Sequence, residues 1–246
     1  MQKSVILVMI FLGTLLMSSI ALAADPQSLK FNGINSSVII PDHSSLDVYQ
    51  NQFSISLWIY PRAFDNNVLP RIIEKKSEYI AIMGDPTNSR YKKLAMELQS
   101  PTGNTVEFWS NSTLKLETWQ HATFVYDGIK GTWYINGIPT GTKMLTIKGE
   151  WTGEEQSTKG SKIYLGRRTS DVSRNFYGNL DELRIYNRML TQEEITSIYK
   201  SGRINNPSLT TNGLVVWYPF NESKGTILHD QVQNLNGNIS DGKWTY

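Results

Sequence analysis

Catalysis by side chains needs groups that can be aimed at one atom, and the chain offers few such sets. Its adjacent carboxylate pairs are Glu154-Glu155, Asp181-Glu182 and Glu193-Glu194. An acid and a nucleophile on one strand must alternate, because residues i and i+2 share a face while neighbours point to opposite faces. Asp181 and Glu182, on one predicted strand, are therefore expected to be split between faces, and Glu193-Glu194 belongs to a predicted helix start. Of the histidines, His43 and His229 fall in loop-like contexts and His121 in a strand, where a hydrogen-bonded structural role is expected. No G-x-S-x-G, H-E-x-x-H or phosphate-binding loop occurs. Cysteine is absent, which excludes thiol catalysis, zinc–thiolate sites and disulfides.

Aromatic surface is plentiful instead, with 7 Trp and 12 Tyr. Flat rings beside polar groups serve sugar-binding faces as well as cores. Trp109, followed by Ser110-Asn111-Ser112-Thr113, and Trp151, within Gly149–Glu155, fall at strand–loop edges, with Tyr91 and Tyr177 in similar settings. These four are the candidate ligand-binding aromatics, each weighed against ordinary partial burial. Lys159, Lys162, Arg167 and Arg168 form a small basic cluster, either a solvated loop or a contact for an acidic glycan or phosphate-bearing polymer.

The elements that must carry these residues are mostly strands. Period-2 alternation predicts strands at Ser37–Pro41, Phe53–Tyr60, Glu78–Met83, Lys93–Leu98, Thr105–Trp109, His121–Tyr126, Thr132–Ile135, Lys162–Leu165 and Leu180–Tyr186. Turn signals separate them, and Asn136-Gly137 reads as a hairpin turn. One helix is predicted, opened by the capping-box pattern Thr191-Gln192-Glu193-Glu194 and stopped at Gly202. The expected fold is all-β, with one short helix towards the C-terminal side.

The N-terminus reads as a signal peptide, residues 1–23: Lys3, an apolar run from Val5 to Met17, then small residues through Ala24. Export to an extracellular or periplasmic location is expected, with no membrane span after cleavage. Without the leader, 23 Lys and Arg against 22 Asp and Glu leave a formal charge of +1, so no pull towards nucleic acid follows.

Four segments carry a family resemblance: Ser28–Gly33 with Val38–Asp42, Phe53–Pro61, Trp119–Gly128 with Trp133–Gly137, and Gly178–Leu190. Together they resemble the laminin-G-like jelly-roll domains of the concanavalin A-like lectin/glucanase superfamily, of the non-catalytic type. The resemblance spans nearly the whole of residues 28–202, in a domain set at 25–202; it implies a two-sheet antiparallel jelly-roll sandwich and places Trp58, Trp119, Trp133 and Trp217 at family strand positions, where they are expected to pack. A linker is expected at 203–212, and 213–246 resembles the domain's opening strands, which here stand last. That segment either completes the same sandwich by circular permutation, the favoured reading, or begins a truncated second repeat, since some 30 residues cannot bury a core alone.

The resemblance also implies functions. Glycan-cleaving relatives use an E-x-D-x-E type run, which is missing here, so no catalytic residue is assigned and an enzyme is not expected. It implies a structural calcium ion, with Asp181 supplying a carboxylate and Gly33 a carbonyl; the alternative is that Asp181 caps a turn or pairs with Arg184 or another basic residue. No organic cofactor is implied. The expected role is a secreted module that binds a polysaccharide or glycoconjugate, or alternatively an extracellular protein.

Overall fold

The computed structural model describes residues 27–48, 52–62, 69–76, 79–83, 89–99, 105–144, 161–169, 174–203 and 210–245. The strands are β1 (Ser28–Asn32), β2 (Ser37–Ile40), β3 (Phe53–Pro61), β4 (Arg71–Lys75), β5 (Tyr79–Met83), β6 (Lys93–Gln99), β7 (Thr105–Thr113) and β8 (Gln120–Tyr126). They continue as β9 (Lys130–Ile135), β10 (Ile138–Met144), β11 (Ile163–Leu165), β12 (Tyr177–Tyr186), β13 (Leu214–Tyr218), β14 (Ile227–Leu228), β15 (Gly237–Ser240) and β16 (Lys243–Thr245), with α1 (Gln192–Ser201) between β12 and β13. Sheet I runs β10-β9-β8-β3-β12-β1-β16, and β13 also pairs with β12; sheet II runs β14-β15-β2-β11-β4-β5-β6-β7. Pairing between the named strands is antiparallel, as in the expected sandwich.

Alternation decides which residues enter the core. Phe53, Ile55, Leu57 and Ile59 of β3 pack inward with Ala122, Phe124 and Tyr126 of β8 and with Met96, Leu98 and Phe108 of sheet II. Burying such a side chain contributes roughly 1.5–3 kcal/mol. The intervening Ser54, Ser56, Trp58 and Tyr60 are left for the outer face of sheet I. The β9–β10 hairpin closes on Asn136 (φ 52°) and Gly137 (φ 76°), the positive-φ pair that a two-residue turn demands. β10 itself, with Pro139, Gly141 and three exposed terminal residues, carries too weak an alternation to announce itself.

The segment after residue 210 enters both sheets. β13 pairs with the second half of β12, β16 pairs with β1, and β15 pairs with β2. Buried Asp230 orders its loop, accepting the backbone N–H groups of Trp217, Val232, Gln233 and Leu235. Among the described residues, no helix is long and apolar enough to cross a membrane.

α1 lies on the outer face of sheet I. Its start is capped reciprocally by Thr191 and Glu194, and its end by Gly202 (φ 71°). Ile195 and Ile198 form a small second core with Val125, Tyr186 and Leu190. Beneath it Tyr199 stacks on Trp58 (5.8 Å) and on His121 (6.1 Å).

Candidate functional site

On sheet II the side chains turned away from the core form a row in strict register. Tyr164 of β11 pairs with Glu74 of β4, Glu74 with position 80 of β5, that position with Glu97 of β6, and Glu97 with Glu107 of β7. At about 4.8 Å per strand, the row spans roughly 19 Å. Its middle is a buried ion network: the Arg71 guanidinium lies 3.2 Å from Glu74 and 3.3 Å from Glu97. Thr169 donates its hydroxyl and its backbone N–H to the other Glu74 oxygen, at 2.7 and 3.2 Å. Burial pushes the Glu97 carboxyl above its usual range; Arg71 pulls it down and Glu107 pushes it further up.

Both ends of the row are more open and carry an aromatic ring with an arginine over it. At one end the Trp109 indole N–H donates to Glu107 (2.7 Å), and Arg90, 51% exposed, donates to the same carboxylate oxygen (2.9 Å) while its guanidinium sits 4.6 Å from the indole centroid. At the other end the Arg167 guanidinium lies 5.3 Å from the Tyr164 ring. That end opens on a cleft of about 290 Å³ lined by Lys76, Ser161, Lys162, Tyr164 and Thr169. A half-exposed ring offers the apolar C–H face of a sugar its partner, and the neighbouring carboxylate and guanidinium supply directional bonds for hydroxyls.

Residues 32–196 match the laminin-G-like family of the concanavalin A-like lectin/glucanases superfamily. The chain belongs to that superfamily. A Bacteroides ovatus structure, named as a candidate carbohydrate binding protein, matches 89% of this chain at 20% identity with a TM-score of 0.66, and the chain spans 59% of that structure's length. Domain 4 of a GH43 extracellular arabinanase from Geobacillus stearothermophilus, solved with arabinotriose, matches at 22% identity over 70% of this chain and 76% of its own, with a TM-score of 0.51. A heptameric pentraxin of Limulus polyphemus matches at 16% identity over 77% of this chain and 90% of its own, with a TM-score of 0.52. At these identities the structures share the fold. No curated protein matches the chain.

Of the four aromatics singled out in the sequence of this concanavalin A-like chain, the three described ones, Trp109, Tyr91 and Tyr177, are not brought together. Trp109 ends the sheet II row. Tyr91 packs partly against the core, with Lys92 4.8 Å from its ring. Tyr177 lies on sheet I, its Cβ where a side chain on Gly33 would stand, at 2.8 Å. Trp151 lies outside the described residues, as do Lys159 and Glu154-Glu155. Of the tryptophans expected to pack, Trp133 (2% exposed) is in the core and Trp58 and Trp217 are buried, whereas Trp119 is partly exposed. The sequence reading passed over Arg71, Glu74, Arg90, Glu97 and Glu107. Period 2 carried the signal for Glu97 and Glu107, since Ala95 and Glu97, and Glu107 and Trp109, must share a face, whereas nothing local links Arg71, Glu74 and Arg90 to them.

Gly33 and Asp181, which the family resemblance implies for a calcium ion, are not neighbours. Gly33 donates its N–H to Phe176, and Asp181 stands five residues further along β12, roughly 16 Å away at about 3.3 Å per residue. The Asp181 carboxylate is engaged instead by the Arg203 guanidinium at 2.8 Å, both groups being buried. Burial lifts the Asp181 carboxyl to about 8, against the pull of Arg203 and the hydrogen bond it donates, and with a further push from Glu182. Among the described residues no cluster of three or more His, Asp and Glu could hold a metal ion.

Nor are Asp181 and Glu182 split between faces. β12 is bulged between Asp181 and Arg184, with Glu182 at φ 52°. Glu182 bonds Trp217 Nε1 and Arg184, each at 2.8 Å, while Asp181 bonds Arg203, and all of these partners lie on the outer face of sheet I. The extra residue of a bulge suspends the alternation. His121 sits on the same face, fully buried beneath α1, its Nε2 2.8 Å from Ser56 Oγ.

Proposed function

We propose that this chain is an exported, non-catalytic module that holds a carbohydrate chain along the outer face of sheet II. The observation that carries this reading is the row from Tyr164 to Trp109: an aromatic ring with an arginine at each open end, and ordered charged groups between them. The buried Arg71 network fixes the floor, so little side-chain ordering remains to be done when a ligand binds. The leader pattern at residues 1–24 supports export to an extracellular or periplasmic location. The carbohydrate binding candidate and the arabinotriose-bound domain among the similar structures are consistent with this class of ligand.

A glycan array with the mature protein tests the reading, followed by titration of the best ligand into wild type and Trp109→Ala. Binding that weakens about tenfold or more in the variant supports it. A folded protein that binds no glycan across the array removes it and brings a protein partner forward. An enzyme reading has one specific observation behind it. Glu97 and Glu107 are direct cross-strand partners, and Glu97 is pushed up beside a second carboxylate, the environment of a general acid. Against it, Glu97 is buried and tied to Arg71, away from any bond to be cleaved. Release of reducing sugar by wild type, abolished in Glu97→Gln, would establish it.

A further inference from the structure

The half of sheet I's outer face that α1 leaves uncovered carries a second row, independent of the one on sheet II. Tyr60 of β3, Asn179 of β12, Lys30 of β1 and Lys243 of β16 follow one another in register. Trp119 extends the row beyond Tyr60, with ring centroids 5.5 Å apart. Arg62 lies with its guanidinium 5.0 Å from the Tyr60 ring and 5.9 Å from that of Tyr177. Arg203, clamped to Asp181, supports the far side of Trp119 at 3.6 Å. Trp119, Tyr60, Arg62, Tyr177 and Lys30 are partly exposed and Lys243 is fully so.

Among the described residues, the charges on this row lack partners of opposite sign. Lys30 and Lys243 are direct cross-strand partners, an arrangement that is destabilising by itself because like charges then face each other. Among the described residues, Arg62 reaches the Asn179 side-chain oxygen, at 3.5 Å. None of the three cations makes an ion pair with a described residue, and Asp181 is taken by Arg203. Glu117 and Asp241, at turns bordering the face, make no ion pair with them either. The Asn179 amide is held by the hydroxyls of Ser28 (3.0 Å) and Thr245 (2.7 Å), which keeps the middle of the row polar and rigid.

We infer that this face is a second binding surface, for a sugar chain bearing repeated anionic groups, carboxylate or sulfate. The rings of Trp119, Tyr60 and Tyr177 stack on the sugar units, and Arg62, Lys30 and Lys243 meet the anions, which relieves the Lys30–Lys243 repulsion on binding. The chain's near-neutral total charge makes this attraction local to the face. With the two rows on opposite outer faces of the sandwich, one molecule can hold two polymer strands at once.

Binding of the mature full chain is measured against polygalacturonate, dextran sulfate, uncharged dextran and single-stranded oligo-dT, using wild type, Arg62→Gln and the double variant Lys30→Gln/Lys243→Gln. Wild type binds one or both acidic polysaccharides and not dextran, and which of the two it prefers names the anion. Each variant weakens that binding about tenfold, and the double variant flattens its dependence on salt. Exposed lysines leave folding intact, which an unchanged melting temperature verifies. Equal binding of dextran overturns the inference, as does undiminished acidic binding in both variants or a preference for oligo-dT. Trp109→Ala separates the two faces, because it must leave the acidic binding in place; if it alone abolishes that binding, the ligand lies on sheet II.

Discussion

Replacing His121 by Gln reads out one buried group with a definite sign. The ring is enclosed by Trp58, Tyr199 and Ser56, with its Nε2 2.8 Å from the Ser56 hydroxyl, to which Thr123 also donates. Burial, helped by the nearby Arg184 charge, lowers its pKa from 6.5 to about 3. The folded state therefore refuses a proton that the unfolded chain accepts below about pH 6.5. The resulting stability is fully present above that value and is lost as pH falls towards 3, at about 1.36 kcal/mol per pH unit. Between pH 7.5 and 5.0 this amounts to about 2 kcal/mol.

Glu97 and Asp181, both shifted upward, work in the opposite direction, since their folded forms hold protons more tightly. They are common to wild type and variant, so the difference between the two proteins isolates His121. Gln keeps an acceptor for Ser56 but loses the ring contacts, and should reduce stability at pH 7.5 by about 1–3 kcal/mol. Urea unfolding followed by tryptophan fluorescence at pH 7.5 and 5.0 measures both differences. The deficit of His121→Gln is expected to shrink by about 2 kcal/mol at pH 5.0. A deficit that stays the same at both pH values would show that His121 accepts its proton in the folded state, and the reasoning fails.

Arg203→Ala removes the partner of buried Asp181, and stability should drop by about 3–5 kcal/mol at pH 9, where the carboxyl must either stay charged without a partner or take up a proton that the wild type does not need. The loss should be smaller at pH 6, where that carboxyl, already lifted to about 8, takes up a proton; denaturant midpoints at the two pH values check this. Gly166→Ala would set a methyl group 2.1 Å from the Phe31 ring at a backbone φ of 81°, so a loss of about 2–3 kcal/mol is expected in the same assay. No change there would mean that β11 and Phe31 can move apart freely.

Strands and helix were legible because each is a local pattern read against a flat or cylindrical surface. Phe53-x-Ile55-x-Leu57-x-Ile59 can satisfy its apolar side chains only by facing one way, and Thr191–Glu194 caps a helix from within four residues. The short strands β14 and β16 and the polar hairpin arm β10 have almost no pattern of their own and exist through their neighbours' backbone groups. The candidate site was legible only in part. Trp109 drew attention by its edge position, whereas its partner Glu107 lay two residues away on the same face, Glu97 and Arg71 come from other strands, and Arg90 from the turn before β6.

Period 2, turn chemistry and the capping box are properties of adjacent residues, so the sequence by itself determined the all-β class, the single helix and the absence of thiol chemistry. Tertiary structure decided what depends on strand order and register. It placed Glu97 beside Glu107, and Lys30 beside Lys243. It set Asp181 beside Arg203, 22 residues away, and Gly33 beside Phe176. It also overrode the alternation at Asp181-Glu182, because a bulge is set by how two strands must twist past each other. A charge can be counted in a sequence, but its partner is chosen by distance in the folded chain.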